Sequence, residues 1–78
     1  MHVIGYQQVS FTPKGETQAI TGVTLYLTEE RDKVQGLAAD RVFVSARKLG
    51  SYFPQLGDEI RLSYNRYGKV DAVELLPQ

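Results

Sequence analysis

A short turn near residue 67 carries the residue types best suited to bind another molecule. The stretch 65–69 reads Asn-Arg-Tyr-Gly-Lys, so a tyrosine stands between two cations. A tyrosine ring stacks on flat groups such as nucleic-acid bases, and arginine and lysine bind phosphate oxygens. The glycine suits a tight turn that requires positive φ. We expect Arg66, Tyr67 and Lys69 to face solvent. The alternatives are solvated turn charges, an ordinary loop tyrosine, or insertion of the ring into a second subunit.

Two other aromatic residues are predicted to lie on the outside of a sheet. Tyr26 alternates with aliphatic residues, and Phe43 lies between Arg41 and Ser45 with a valine on each side. If the aliphatic residues face a core, Tyr26, Arg41 and Phe43 face away from it. An outward aromatic beside cations on a curved sheet is a platform on which bases stack. The alternative is burial of both rings, in the core or between subunits.

The remaining candidates are cations in the second half of the chain. Arg47 and Arg61 would extend a basic surface, although a solvated face is the ordinary fate of such residues. The complete set of candidate nucleic-acid-binding residues is Tyr26, Arg41, Phe43, Arg47, Arg61, Arg66, Tyr67 and Lys69.

The chain has little of the chemistry that enzymes use. Its one histidine is His2, and it has no cysteine, so neither a Cys-His nucleophile nor a zinc site is expected. Glu29, Glu30 and Asp32 fall on a charged loop and are expected to be solvated. No phosphate-binding or dinucleotide-binding motif occurs. The sequence predicts a protein that is not an enzyme and has no metal or cofactor.

Length and charge limit the remaining classes. The 78 residues suffice for one small domain, 1–78, and nine basic residues balance nine acidic ones. This neutrality counts against a strongly electrostatic nucleic-acid binder, but a neutral domain can still carry one basic face. No segment resembles a signal peptide or a membrane span, and cysteine is absent, so we expect a cytoplasmic protein with no membrane partner.

The elements that must position these residues are short strands. Alternation and turn residues predict three strands, a brief helical turn and a final hairpin. Their bounds are 3–12 with a bulge near 5–8, 18–28, 41–47, 46–53 for the helical turn, and 59–65 paired with 69–76. A charged loop is expected over 29–40, and Tyr64 is assigned to the core with Ile60 and Leu62.

This pattern predicts an all-β fold. Five strands with a helical turn between the third and fourth are typical of an oligonucleotide-binding (OB) barrel. An SH3-like barrel is the alternative.

Two stretches resemble known proteins. The ending GDEIRLSYNRYGKVDAVELLP resembles the last hairpin of small single-stranded-DNA-binding proteins of filamentous phage. The stretch GYQQVSFTPKGETQAITGVTLYL is similar to short uncharacterised proteins of Gram-positive phages and mobile elements. The resemblance implies an OB-like barrel and a two-fold homodimer. It also implies a binding face that contains Tyr26, Arg41, Phe43 and Arg47, with Tyr67 as the aromatic residue of the hairpin.

Two functions follow as hypotheses. The first is non-specific binding of single-stranded nucleic acid by a protein that a phage or mobile element encodes, with steep salt dependence. The alternative is a protein-interaction module, an accessory factor that acts on a host or replication protein.

Overall fold

The structure is a computed structural model that describes residues 1–77, so the predicted domain 1–78 extends one residue beyond it. The elements in order are β1 (His2–Phe11), β2 (Ile20–Glu29), β3 (Ala38–Ser45), α1 (Ala46–Leu49), β4 (Ile60–Tyr64) and β5 (Val70–Leu75). The all-β class is confirmed. The short helix also lies between the third and fourth strands, as predicted.

The strands form two antiparallel sheets rather than one closed barrel in the described residues. One sheet has three strands in the order β1-β2-β3, and the other is the hairpin β4-β5. An isolated bridge pairs His2 with Glu59. Beside it, the Val3 amide donates to the Asp58 carbonyl at 2.9 Å. The start of β1 therefore links the two sheets.

A bulge in β1 changes which side chains face the core. The register with β2 shifts between Val3 and Gly5, so the bulge predicted near 5–8 lies at the start of that stretch rather than within it. Strand neighbours alternate between the two faces of a sheet, and one extra residue reverses that alternation. Val3 before the shift is buried, whereas Phe11 after it lies on the opposite face, paired with Ile20.

The core lies between the three-stranded sheet and the hairpin. Val23, Leu25 and Leu27 of β2 are buried, as their alternation predicted. They pack with Val44 of β3 and with Ile60 of β4. Full burial of one such side chain stabilises the fold by about 1.5–3 kcal/mol. The apolar faces of the strands therefore hold the two sheets together.

The third strand and the helical turn differ from their predicted bounds. β3 begins at Ala38 rather than at residue 41, because Ala38 pairs with Glu29 and continues the β2-β3 hairpin. The charged loop is correspondingly shorter than 29–40. The helix ends at Leu49 rather than near residue 53, since Gly50 has a φ of 61° that ends the helical path.

The assignment of Tyr64 to the core was wrong. Its side chain is 51% exposed, whereas Ile60 and Leu62 of the same strand are buried. Tyr64 is the last residue of β4, and the pairing with β5 shifts between Ser63 and Tyr64. Alternation predicts the side of a strand, but it does not predict how far the core extends along it.

Candidate nucleic-acid interface

The face of the three-stranded sheet that points away from the core, here called the outer face, carries three of the eight candidate residues. Tyr26 is paired with Arg41, and Thr24 is paired with Phe43. Of the intervening residues, Leu25 is buried and Val42 packs partly buried against the core, so alternation places these pairs on the outer face. The expectation that Tyr26, Arg41 and Phe43 share a face away from the core is confirmed. Whether they bind nucleic acid stays a prediction.

Glycines beneath the two aromatic side chains let them approach the sheet closely. A Cβ atom on Gly22 would lie 2.7 Å from Cζ of Phe43. A Cβ atom on Gly5 would lie 3.7 Å from Cδ2 of Tyr26. Each ring therefore reaches over a glycine of the neighbouring strand. The side chain of Phe43 remains 38% exposed and is available for contact with a partner.

A third aromatic residue, which the sequence analysis did not include, belongs to the same face. The ring centroids of Phe11 and Phe43 are 5.8 Å apart, and the ring planes meet at 63°. Phe11 is 45% exposed and its pairing partner Ile20 is 39% exposed. The reversal of parity along β1 was the signal, because the odd-numbered residues after the bulge share the face of Gly5 rather than that of Val3.

The β4-β5 turn holds three other candidates. The side-chain oxygen of Asn65 accepts hydrogen bonds from the amides of Tyr67 at 2.9 Å and Lys69 at 3.1 Å. The Gly68 amide donates to the Asn65 carbonyl, and Gly68 has a φ of 79°. These bonds hold the turn in one shape. The turn therefore has a defined conformation in which Arg66, Tyr67 and Lys69 are exposed to solvent.

Tyr67 is the most exposed large side chain of this turn and lies beside a cation. It is 73% exposed, which confirms that it stays outside the core. The guanidinium carbon of Arg66 lies 5.1 Å from the centroid of its ring, within the range of a cation–π contact. The pair offers a flat aromatic surface and a positive charge at one place.

The last two candidates lie on separate elements. Arg47 is an exposed residue of α1. Arg61 of β4 is paired with Glu74 of β5, with nitrogen–oxygen distances of 3.1 Å and 2.6 Å. Because the guanidinium of Arg61 is already paired with a carboxylate, Arg61 is the predicted cation least able to bind a phosphate.

An ion pair connects the helix to the strand that follows the hairpin turn. Nζ of Lys48 lies 2.6 Å from Oδ1 of Asp71, near the start of β5. α1 directly follows Ser45, which pairs with Gly22 in the three-stranded sheet. Two cations of the helix and two of the turn therefore lie on elements that this ion pair connects. We call these residues the basic end: Arg47, Lys48, Arg66 and Lys69.

The opposite part of the three-stranded sheet collects acids. Arg31 lies 2.5 Å from Glu29 and 2.6 Å from Asp40. The hydrogen bond to Glu29, and then that to Asp40, raises the pKa of Arg31, which therefore stays cationic. A depression of about 460 Å³ beside this cluster is lined by residues that include His2, Glu30 and Glu59. We call the following residues the acidic end: Glu29, Glu30, Asp32, Asp40 and Glu59.

Neither a metal site nor a membrane span was found in the part of the chain that the structure describes. No three of its histidine, aspartate and glutamate side chains are grouped so as to hold a metal ion. No helix within residues 1–77 has the length and apolar character needed to cross a membrane.

Comparison with protein-family models, with curated proteins and with solved structures found no match to this chain. The resemblance to filamentous-phage proteins, the origin from a phage or mobile element and the cytoplasmic location therefore stay predictions from the sequence.

Proposed function

We propose that this protein binds single-stranded nucleic acid, without sequence preference, on the outer face. The observation that carries the proposal is the position of Tyr26, Arg41 and Phe43 on one surface, with Phe11 against Phe43. Every base has a flat π-face, so aromatic side chains stack on bases regardless of sequence. Arg41, beside Tyr26, supplies a cation where a phosphate would follow a stacked base.

The basic end supports a path for the rest of the strand. Among the described residues, Arg41, Arg47, Arg66 and Lys69 take part in no ion pair, unlike Arg61. Each phosphate that such cations neutralise releases counterions, with a slope of roughly 0.7 per contact for single strands. The proposal therefore predicts affinity that falls steeply as salt rises.

We also infer an OB-like arrangement of the strands. In an OB fold, the outer surface of strands 2 and 3 and the loop between strands 4 and 5 bind the oligonucleotide. Here the outer face is centred on β2 and β3, and the β4-β5 turn carries Arg66, Tyr67 and Lys69. The bridge between β1 and Glu59 also suits that arrangement, because it places β1 next to the start of the final hairpin.

The first test is fluorescence anisotropy with a labelled oligothymidine at low and moderate salt. Wild-type protein should bind saturably, and binding should weaken with salt. Replacement Phe43→Ala should weaken it at least about fivefold, because stacking on one aromatic side chain contributes about 1–3 kcal/mol. The matched control is Phe53→Ala, which removes a ring that is 63% exposed but lies in the loop between α1 and β4.

Three results would contradict the proposal. Absence of binding by the wild-type protein at low salt would exclude the function. Equal losses of affinity in Phe43→Ala and Phe53→Ala would show that the outer face is not the site. A binding curve that depends strongly on base sequence would contradict the stacking mechanism.

A second candidate function, a protein-interaction module, has support in another exposed apolar region. Phe53, Leu56 and Leu75 are 63%, 68% and 52% exposed. The rings of Tyr6 and Phe53 meet edge to face with centroids 6.4 Å apart. An apolar interface of this kind would bind a host or replication protein with little salt dependence. Here the roles of the variants reverse, because Phe53→Ala should weaken protein binding and Phe43→Ala should not.

A further inference from the structure

We propose that two copies of this chain associate through the free edge of β1. The two β1 strands would pair antiparallel about a two-fold axis and join the two three-stranded sheets into one six-stranded sheet. The proposal concerns the edge of a sheet, so it does not depend on what the outer face binds.

The edge in question is open along most of β1. On one side, β1 pairs with β2 over its whole length, from His2 to Phe11. On the other side, the partners found within residues 1–77 are confined to its start, at the bridge between His2 and Glu59 and the bonds of Val3. The stretch 5–11 has no strand beside it there. Its outward backbone groups are free to pair with another strand.

Beyond the bulge at its start, this edge lacks two features by which proteins usually prevent strand addition. Charged side chains and proline commonly protect edge strands, because either one opposes pairing with another chain. Residues 3–11 contain neither a charged residue nor a proline. The other edge strands differ, since β3 contains Asp40 and Arg41, β4 contains Arg61, and β5 contains Asp71 and Glu74. Of the edge strands, β1 therefore has the fewest features that oppose pairing with a strand of another chain.

The apolar surface of the single chain supports association. Twelve large hydrophobic side chains are exposed in the described residues, against eight buried hydrophobic residues that form the core. Three of the exposed ones, Ile4, Tyr6 and Phe11, belong to β1. A second copy at this edge would cover parts of them. A single small core of this size gains most from a partner that extends it.

The pattern of β1 favours a second copy and sets the register. Residues opposite each other in an antiparallel pair point to the same face, so a two-fold axis must pass through a residue rather than between two. The centre of the free stretch 5–11 is Gln8. The resulting pairs are Gln8 with Gln8, Tyr6 with Ser10, Gln7 with Val9, and Gly5 with Phe11. No like charges meet, and Phe11 of one copy faces the small residue Gly5 of the other.

The absence of cysteine makes a direct test possible. The chain contains none, so Gln8→Cys introduces a single thiol. Directly opposed residues in an antiparallel pair have Cβ atoms about 4.5–5.5 Å apart, which a small adjustment brings within disulfide range. Under mild oxidation, Gln8→Cys should form a covalent dimer on a non-reducing gel much faster than Ser63→Cys. Ser63 is the matched control, an exposed residue within β4.

Sedimentation velocity provides a test that needs no new disulfide. Wild-type protein at micromolar concentration should sediment with twice the chain mass of 8.8 kDa. Gln8→Lys places two like charges opposite each other at the axis and should sediment as a monomer with an unchanged circular dichroism spectrum. The proposal is overturned if the wild type is a monomer, or if Gln8→Cys crosslinks no faster than Ser63→Cys. It is also overturned if folded Gln8→Lys remains a dimer.

Discussion

The basic end and the acidic end show how a chain with no net charge can still present charged surfaces. The basic end has four cations and, nearby, one acid, Asp71, which pairs with Lys48. The acidic end has five carboxylates, of which Glu29 and Asp40 share Arg31 and Glu59 pairs with the N-terminal ammonium. Over the whole chain, nine basic residues balance nine acidic ones. The charges cancel only over the whole chain, so the basic end is positive and the acidic end is negative.

This difference matters because a ligand interacts with the local field rather than with the net charge. Exposed charges are screened within about 8 Å at physiological salt, so an anion near the basic end is little affected by distant acids. A phosphate backbone would be attracted at the α1 side of the outer face and repelled at the loop after β2. Zero net charge is therefore no objection to the proposed function.

The largest expected effect is on the free energy of unfolding. It compares the addition of a methyl group at Gly22 with the same addition at Gly5, since each glycine lies under an aromatic ring. Gly22→Ala should lower the free energy of unfolding by about 1–3 kcal/mol, because the new methyl group would stand against Phe43 and the backbone oxygen of Val44. Gly5→Ala should leave it unchanged or raise it by up to about 1 kcal/mol. The nearest side-chain atom to that methyl group is Cδ2 of Tyr26, at an ordinary distance of 3.7 Å. Urea denaturation measures both.

The Gly5 variant is the control, since both substitutions add one methyl group to a strand. Equal destabilisation would mean that the close approach of Phe43 to Gly22 has no special energetic role. If Gly22→Ala is folded, loss of oligothymidine binding by this variant would further show that the position of Phe43 matters.

Charge reversal at the two ends is expected to change affinity for the labelled oligothymidine unequally. At physiological salt, Lys69→Glu should weaken binding about tenfold, because it removes a phosphate contact and adds a repulsive charge. Asp32→Lys changes the net charge by the same amount in the other direction. It should alter the affinity by less than about twofold, because the Debye length at that salt is about 8 Å and more distant charges are screened.

Equal and opposite effects of the two reversals would favour a simple dependence on net charge over a localised site. In that case the distinction between the ends would have no functional meaning. Measuring the salt slope of each variant separates the outcomes, because only a lost phosphate contact reduces the slope.

The smallest expected effect concerns Tyr52, which connects the end of the helix to Asp58, the residue before Glu59. Its hydroxyl donates to Oδ2 of Asp58 at 2.7 Å, and its amide donates to the Leu49 carbonyl at 3.1 Å. Burial, followed by the hydrogen bond to Asp58, raises the pKa of Tyr52. Tyr52→Phe should lower the free energy of unfolding by about 1 kcal/mol at neutral pH. Thermal and urea denaturation measure this change.

The raised pKa of Tyr52 also predicts a pH dependence. Its contribution to stability is complete below the unfolded-state pKa of about 10 and is lost as pH rises towards the higher folded-state pKa. The wild type should therefore lose stability above that pH more steeply than Tyr52→Phe. Tyr67→Phe removes an exposed hydroxyl and should not change the stability at neutral pH. Parallel curves for the wild type and Tyr52→Phe would contradict the assignment.

Local patterns predicted most of the strands and part of the candidate site. Alternation placed Leu25 and Leu27 inside and Tyr26 and Phe43 on the other face, because a strand has a period of two residues. The alternation of residues did not predict how far the core or a strand extends. The exposure of Tyr64 depends on where the core ends, and the early start of β3 depends on pairing between Ala38 and Glu29.

The sequence by itself determined the all-β class, the bulge in β1, the turn at Gly68 and the sides of the strands on which aromatic residues lie. These features depend on backbone dihedral angles and side-chain alternation between neighbouring residues. Only the tertiary structure decided that Phe11 meets Phe43, that Asp71 of β5 pairs with Lys48 of α1, and that acids and cations lie at different ends. Those contacts join residues distant in the chain, so register and sheet packing determine them rather than local preference.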